Sequence, residues 1–178
     1  MGCLWNPYFT ARDGPGYDGI TVTALAQIQK DVGHRAFATV SAYPDWPCRK
    51  GCDDCCRSLA SAPRITEAEW LPIAAALAAM PDATAAEARR RIRESAGAPR
   101  PVVCPLLETA SGACLIYDVR PIACRAYGFY AERDLVLGCS RIEAIARESA
   151  EIVWGNHEAL EARTQSLGPV ADLADWLS

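Results

Sequence analysis

The chain has 178 residues, 51% of them apolar and 22% charged, with a formal net charge of −4. A chain of this length buries roughly 70% of its unfolded surface, so it can build a core without disulfides. The mild acidity gives no reason to expect nucleic acid as a partner. The longest apolar stretch, Leu71 to Met80, is about half of the roughly 20 residues a membrane-spanning helix needs, so no membrane partner is expected either.

Met1 to Asn6 lacks the basic and apolar regions of a secretory signal. It also places Asn6 where a myristoylation site requires Ser or Thr. A cytoplasmic location is the expectation, and disulfides are rare there. Residues 1–17, rich in Gly, Pro and aromatics, read as an irregular arm. Thr21 to about Ser41 has helical periodicity, with Leu25, Ile28, Val32 and Phe37 on one side, and Pro44 and Pro47 end it. Thr66-Glu67-Ala68-Glu69 is a capping box and starts a second helix. Pro81-Asp82 interrupts that helix, and a further one is expected from Ala83 to Ser95, whose Arg89–Arg93 run reads as a solvated face.

Val102 to Ile116 suggests short extended pieces around a Ser111-Gly112 turn. Asp118 reads as the N-cap of a short helix through Cys124. Ser140-Arg141-Ile142-Glu143 is a second capping box, expected to open one long helix reaching Arg163. Gly168-Pro169 separates a last short helix ending near Trp176 and Leu177. The fold expected is mainly α: one small domain of about five helices with irregular cysteine-bearing loops and little or no sheet. Residues 1–44 form an arm and helix packed on the domain, 45–142 the cysteine-bearing core, and 143–178 C-terminal helices of the same domain.

The nine cysteines are not scattered. Cys48, Cys52, Cys55 and Cys56 fall close together, Cys104, Cys114, Cys124 and Cys139 follow, and Cys3 stands apart as a small hydrophobe. Close spacing matters because zinc–sulfur bonds are about 2.3 Å long and tetrahedral ligands must converge on one point. The second group brings ligands from elsewhere in the chain, so part of the metal's binding energy becomes folding energy. Arg49, Lys50, Arg57, Arg120 and Arg125 lie near cysteines in sequence, where cations lower thiol pKa values and favour thiolates. The adjacent pair Cys55-Cys56 leaves alternatives open: one thiol can bind while the other bridges, serves a second centre or packs nearby. One four-cysteine site with spare thiols and two metal centres both satisfy the pattern. An even set of eight also suits a disulfide framework, against which stand the attainable core and the absence of a signal segment.

Cys52-Asp53-Asp54-Cys55-Cys56, Cys104-Pro105-Leu106-Leu107, the stretch from Cys114 through Ile116-Tyr117-Asp118-Val119-Arg120-Pro121-Ile122-Ala123-Cys124-Arg125-Ala126-Tyr127, and Cys139 together resemble the YkgJ-type CxxCxxCC domain over roughly residues 45–142. The resemblance implies chelation of zinc or iron. It differs at the first spacing, where Cys48 and Cys52 are separated by three residues instead of two. Flagellin lysine methylases resemble members of that family, which brings a methyltransferase activity into view. Cys48, Cys52 and Cys55 also match the CxxxCxxC spacing of radical S-adenosylmethionine enzymes. The strand-rich pattern of those enzymes is missing, however, and Asp54 stands where they usually carry an aromatic.

The candidate ligands are Cys48, Cys52, Cys55, Cys56, Cys104, Cys114, Cys124 and Cys139. Tyr117, Arg120, Arg125 and Tyr127 are candidates for ordering the surrounding loops. The cofactor expected is an iron–sulfur cluster, such as [4Fe–4S], or Zn²⁺. His157, at helical spacing from Val153 and Leu160, is a further candidate ligand or hydrogen-bond donor, and His34 a weaker one. Trp5, Trp46, Trp70, Trp154 and Trp176 read as core or rim residues. No Ser-His-Asp set, phosphate-binding glycine loop or carboxylate pair stands out, so no catalytic residue is named.

Overall fold

The computed structural model describes residues 19–177. The arm of residues 1–17, with Cys3 and Trp5, lies outside these. Helix α1, Gly19–Ala42, is the longest element. It is followed by a one-turn helix α2, Asp54–Arg57, a strand β1, Arg64–Thr66, and helices α3, Glu67–Ala78, and α4, Asp82–Ser95. Strands β2, Leu107–Glu108, and β3, Ala113–Cys114, form a hairpin. Helix α5 covers Ile122–Ala126. Strands β4, Tyr130–Glu132, and β5, Leu135–Val136, precede helix α6, Ser140–Glu148. Strand β6, Gly155–Asn156, helix α7, His157–Gln165, and strand β7, Val170–Asp172, complete the order. Short 3₁₀ turns occupy Tyr117–Val119 and Asp175–Leu177.

Helices dominate, as expected, but the described residues hold seven α-helices, and the strands are not absent. β1 pairs with β7, β2 with β3, and β4 lies between β5 and β6. These strands are two or three residues long, too short for period-two alternation to show in the sequence. Among the described residues no helix is long and apolar enough to cross a membrane.

Two apolar cores lie under these elements. The first joins Leu25, Ile28 and Val32 of α1 with Trp46, Ile122, Phe129, Tyr130, Ile142 and Leu160. Trp46 stacks on Phe129 and tilts against Trp154, with ring centroids 6.1 and 5.7 Å apart. The second core gathers Ile65, Ile73, Leu77, Ile92, Leu106, Leu107, Ile116 and Leu173. Phe37, expected on the buried side of α1, is exposed, because the first core is already covered by Leu25, Ile28 and Val32.

The capping box at Thr66 forms as expected: its hydroxyl accepts from Glu69 N while the Glu69 carboxylate accepts from Thr66 N at 3.0 Å. That carboxylate is buried and reaches further. Its other oxygen accepts from Ile122 N at 2.8 Å, tying the start of α3 to the start of α5.

Three local expectations fail for identifiable reasons. The long helix from Ser140 to Arg163 is two helices, α6 and α7. The break carries β6, where Gly155 sits so close to Tyr130 that a Cβ would come within 2.4 Å of the ring. Asn156 then caps α7, its Oδ1 accepting from Ala159 N at 2.9 Å. At α6 the capping box does not form: Cys139 occupies the N-cap position and makes no side-chain cap. Asp118 lies in the 3₁₀ turn, and Pro121 precedes α5, where a proline's missing N–H costs nothing.

Candidate metal centre

The four cysteines of the first group lie on the loop after α1 and on α2. The loop turns at Arg49, whose carbonyl accepts from Cys52 N at 3.0 Å. Cys55 and Cys56 are successive residues of α2, so their side chains leave the axis about 100° apart, with sulfurs separated by 3.9 Å. That is far beyond the roughly 2.05 Å of a disulfide. Arg57 holds α2 in place, its Nε donating to Asp53 Oδ2 at 2.6 Å and its Nη2 to Thr109 O, on the β2–β3 turn, at 3.1 Å.

The second group arrives from four places. Cys104 N donates to Cys56 O at 2.7 Å, and Val102 exchanges two backbone hydrogen bonds with Leu59 just after α2. Cys114 stands on β3 opposite Leu107. Cys124 lies within α5, whose first N–H Glu69 pins. Cys139 is the residue before α6, its carbonyl accepting from Glu143 N. Cys48 is pressed against Gly128: a Cβ there would fall 2.3 Å from the Cys48 sulfur, and the glycine φ of +85° suits few other residues. All eight thiols are free, Cys104 buried and the other seven half-buried.

The thiols sense one another. Burial and the neighbouring Cys139, Cys52 and Cys55 push Cys48 up to about 12. The Cys104 thiol, then burial, push Cys56 up to about 12, and burial beside Cys56 and Cys55 does the same for Cys124. Cys55 is raised most directly by the adjacent Cys56 thiol, and Cys52 and Cys114 chiefly by burial. The sequence led to the opposite expectation, that basic neighbours would favour thiolate. The two arginines that do act in that direction are Arg120, towards Cys55, Cys114 and Cys124, and Arg141, towards Cys48 and Cys52. Each is outweighed by burial and by other thiols, because a packed set of thiols resists the first negative charge.

Four further side chains were expected to order these loops. The Arg120 guanidinium lies 3.7 Å from the Tyr117 ring centroid, with Lys50 on the same ring at 5.1 Å. Arg125 donates to the carbonyls of Arg120 and Asp118, and Arg120 to that of Tyr117, so the segment between Cys114 and Cys124 is laced by its own arginines. The Tyr127 hydroxyl donates to Gly138 O at 2.8 Å, joining the end of α5 to the residue before Cys139. A cavity of about 510 Å³ opens beside Cys55 and Cys139, lined also by Asp54, Arg57, Tyr127 and Arg141. Arg141 bridges to Asp54 at 3.2 Å, and Asp54 accepts from the Cys52 thiol at 3.7 Å.

Arg141, Asp54, Gly128 and the contact of Glu69 with Ile122 N escape a reading of the sequence. Arg141 lies two residues from Cys139, within the expected capping box, and the others act across folds of the chain that no local pattern announces. The histidines do not join the thiols: His34 is exposed on α1, and His157 begins α7 with its Nδ1 3.4 Å from Glu132 Oε2. The Arg89–Arg93 run is largely a solvated face, with Arg90 paired to Glu87 and Glu94, although Arg91 turns in to donate to Cys104 O.

Among the described residues, no three His, Cys, Asp or Glu side chains converge tightly enough to enclose a metal ion. The chemistry of the donor set is that of a metal-thiolate site, since soft thiolates select zinc and iron–sulfur clusters over hard cations.

No curated protein and no solved structure matches the chain. A family model does: residues 47–156 match the CxxCxxCC family, described as "Putative zinc- or iron-chelating domain". The match takes in all eight of these cysteines and continues beyond residue 142 through β6. Covering more than half of the chain, it shows that the protein belongs to the CxxCxxCC family.

Proposed function

We propose that this protein holds an iron–sulfur cluster or zinc through thiolates drawn from Cys48, Cys52, Cys55, Cys56, Cys104, Cys114, Cys124 and Cys139. The observation that carries the reading is the gathering of eight free thiols around α2 from segments up to ninety residues apart in the chain. In a metal-free state those thiols raise one another's pKa, and a bound cation would reverse that penalty by taking up the thiolate charge. The near absence of histidine favours iron–sulfur over zinc. Free thiols in such number fit the reducing cytoplasm.

In this reading residues 45–142 form the metal-binding core, with 1–44 and 143–178 packed around it. Arg120 and Arg125 brace the loop between Cys114 and Cys124, and Tyr117 and Tyr127 fix its two ends. A catalytic role using S-adenosylmethionine has one observation on its side, the cavity beside Cys55 next to the Cys48/Cys52/Cys55 spacing. Among the described residues, sheets of two and three strands make no partial barrel of the kind those enzymes use. The test is serine substitution at Cys52, Cys55, Cys114 and Cys124, one at a time, with metal measured after anaerobic purification. Each variant is expected to hold less metal than the wild type, and unchanged metal in all four would refute the proposal.

A further inference from the structure

Resting on the metal-thiolate reading, the geometry points to two separate four-thiol sites of unequal access: an outer one of Cys48, Cys52, Cys55 and Cys139 that opens on the 510 Å³ cavity, and an inner one of Cys56, Cys104, Cys114 and Cys124.

The two cores divide the thiols first. Cys48 and Cys139 pack against the core formed by α1, α5 and α6. Cys56, Cys104 and Cys114 pack in or against the core formed by α3, α4 and the β2–β3 hairpin. Backbone contacts divide them the same way. Cys104 N donates to the Cys56 carbonyl, and β3 brings Cys114 opposite Leu107, three residues after Cys104. On the other side, Cys48 rests on Gly128, and Gly128 N donates to Leu137 O, two residues before Cys139. The Tyr127 hydroxyl holds Gly138 in the same place. The adjacent residues Cys55 and Cys56 are the seam. Cys55 lines the cavity together with Cys139, whereas Cys56 turns to the second core. Electrostatics follows this division for Cys48, which feels Cys139, Cys52 and Cys55, and for Cys56, which feels Cys104 and Cys114. Cys124, although on α5, feels Cys56 and Cys114, and Cys55 at the seam is felt from both sides.

The split follows from α2 itself. Two successive helical residues point about 100° apart, so a short helix wedged between two cores sends one thiol to each. An outer site beside a cavity exchanges its metal with solution or accepts an added ligand, whereas a site built around the buried Cys104 releases its metal more slowly.

The experiment compares anaerobically purified wild type, Cys139→Ser, Cys114→Ser and the double variant. Metal per chain is measured, together with the time course of metal release to a chromogenic chelator and a far-ultraviolet spectrum. The proposal expects fast and slow release from the wild type. Cys139→Ser should keep about half of the metal and lose the fast phase. Cys114→Ser should keep the other half and lose the slow phase, and the double variant should hold none. A single release phase in the wild type would overturn it even if Cys114→Ser failed to fold. So would either single substitution emptying the folded protein or leaving its metal unchanged. A wild type that holds no metal would overturn the metal-thiolate reading as well, which separates the two failures.

Discussion

Glu69 is the residue whose removal tests how the cysteine segments are held. Its buried carboxylate accepts three hydrogen bonds, from Thr66 N at 3.0 Å, Thr66 Oγ1 at 2.9 Å and Ile122 N at 2.8 Å. Glu69→Ala strands three donors in a site only 4% exposed. A buried donor left without a partner costs about 1–3 kcal/mol. Water entering the space left by the side chain recovers part of that, so the low end of the sum, about 3 kcal/mol, is the expected loss. With a urea dependence of about 2 kcal/mol/M, the unfolding midpoint falls by about 1.5 M. Glu69→Gln keeps one acceptor oxygen but turns an amide N–H₂ towards a donor, so its midpoint should lie between those of wild type and Glu69→Ala. Ile122 N opens the helix that carries Cys124, so metal content should fall along with stability. Urea unfolding followed by far-ultraviolet circular dichroism measures the first effect and elemental analysis the second. A loss below about 1 kcal/mol for Glu69→Ala would refute the view that this carboxylate joins α3 to α5.

Other substitutions and conditions probe separate parts of the account. Gly128→Ala places a methyl group on the Cys48 sulfur at a positive φ, and the backbone cost alone is about 1–2 kcal/mol; reduced metal content and a lowered urea midpoint are expected, and a variant equal to wild type in both would be inconsistent with that contact. Asn156→Ala removes the cap of α7 and should cost about 1 kcal/mol without changing bound metal, as urea unfolding and elemental analysis would show. In the metal-free protein, Cys48, Cys56 and Cys124 have pKa values raised from 9.0 to about 12. The folded state thus binds these protons more tightly than the unfolded one, and the resulting stability is complete below pH 9 and lost as pH rises towards 12. Iodoacetamide should accordingly alkylate the folded apo-protein more slowly at pH 7 than it does free cysteine, with rates climbing above pH 9. Fast alkylation at pH 7 would show the thiols to be activated instead.

The sequence discloses what depends on neighbours in the chain. Thr66 and Glu69 form their capping box because both partners lie within one turn, and the cysteine spacing marks the metal-binding stretch because ligands on one loop must be close in sequence. What depends on distant contact stays hidden. Nothing near Ser149–Asn156 reveals that Gly155 must meet Tyr130, so a continuous helix is the natural reading until the parallel pairing of β4 and β6 breaks it. The β2–β3 hairpin falls within the extended pieces expected around Ser111-Gly112, but the other strands, two or three residues long, carry no periodicity and their sheets stay hidden for that reason. The thiol electrostatics were misjudged similarly: adjacency in sequence suggested cations beside cysteines, whereas folding places the thiols chiefly beside one another. Cys55 and Cys56 looked like one unit in the sequence, and only the two cores flanking α2 show them facing different surroundings.

The most direct test of the central claim is anaerobic purification of the wild-type protein, with elemental analysis and an ultraviolet–visible spectrum taken on one sample. The account predicts bound metal: iron with acid-labile sulfide and broad visible absorption for a cluster, or zinc in a colourless protein. Protein free of both metals, with its thiols titrating as unligated or as disulfides, would contradict it.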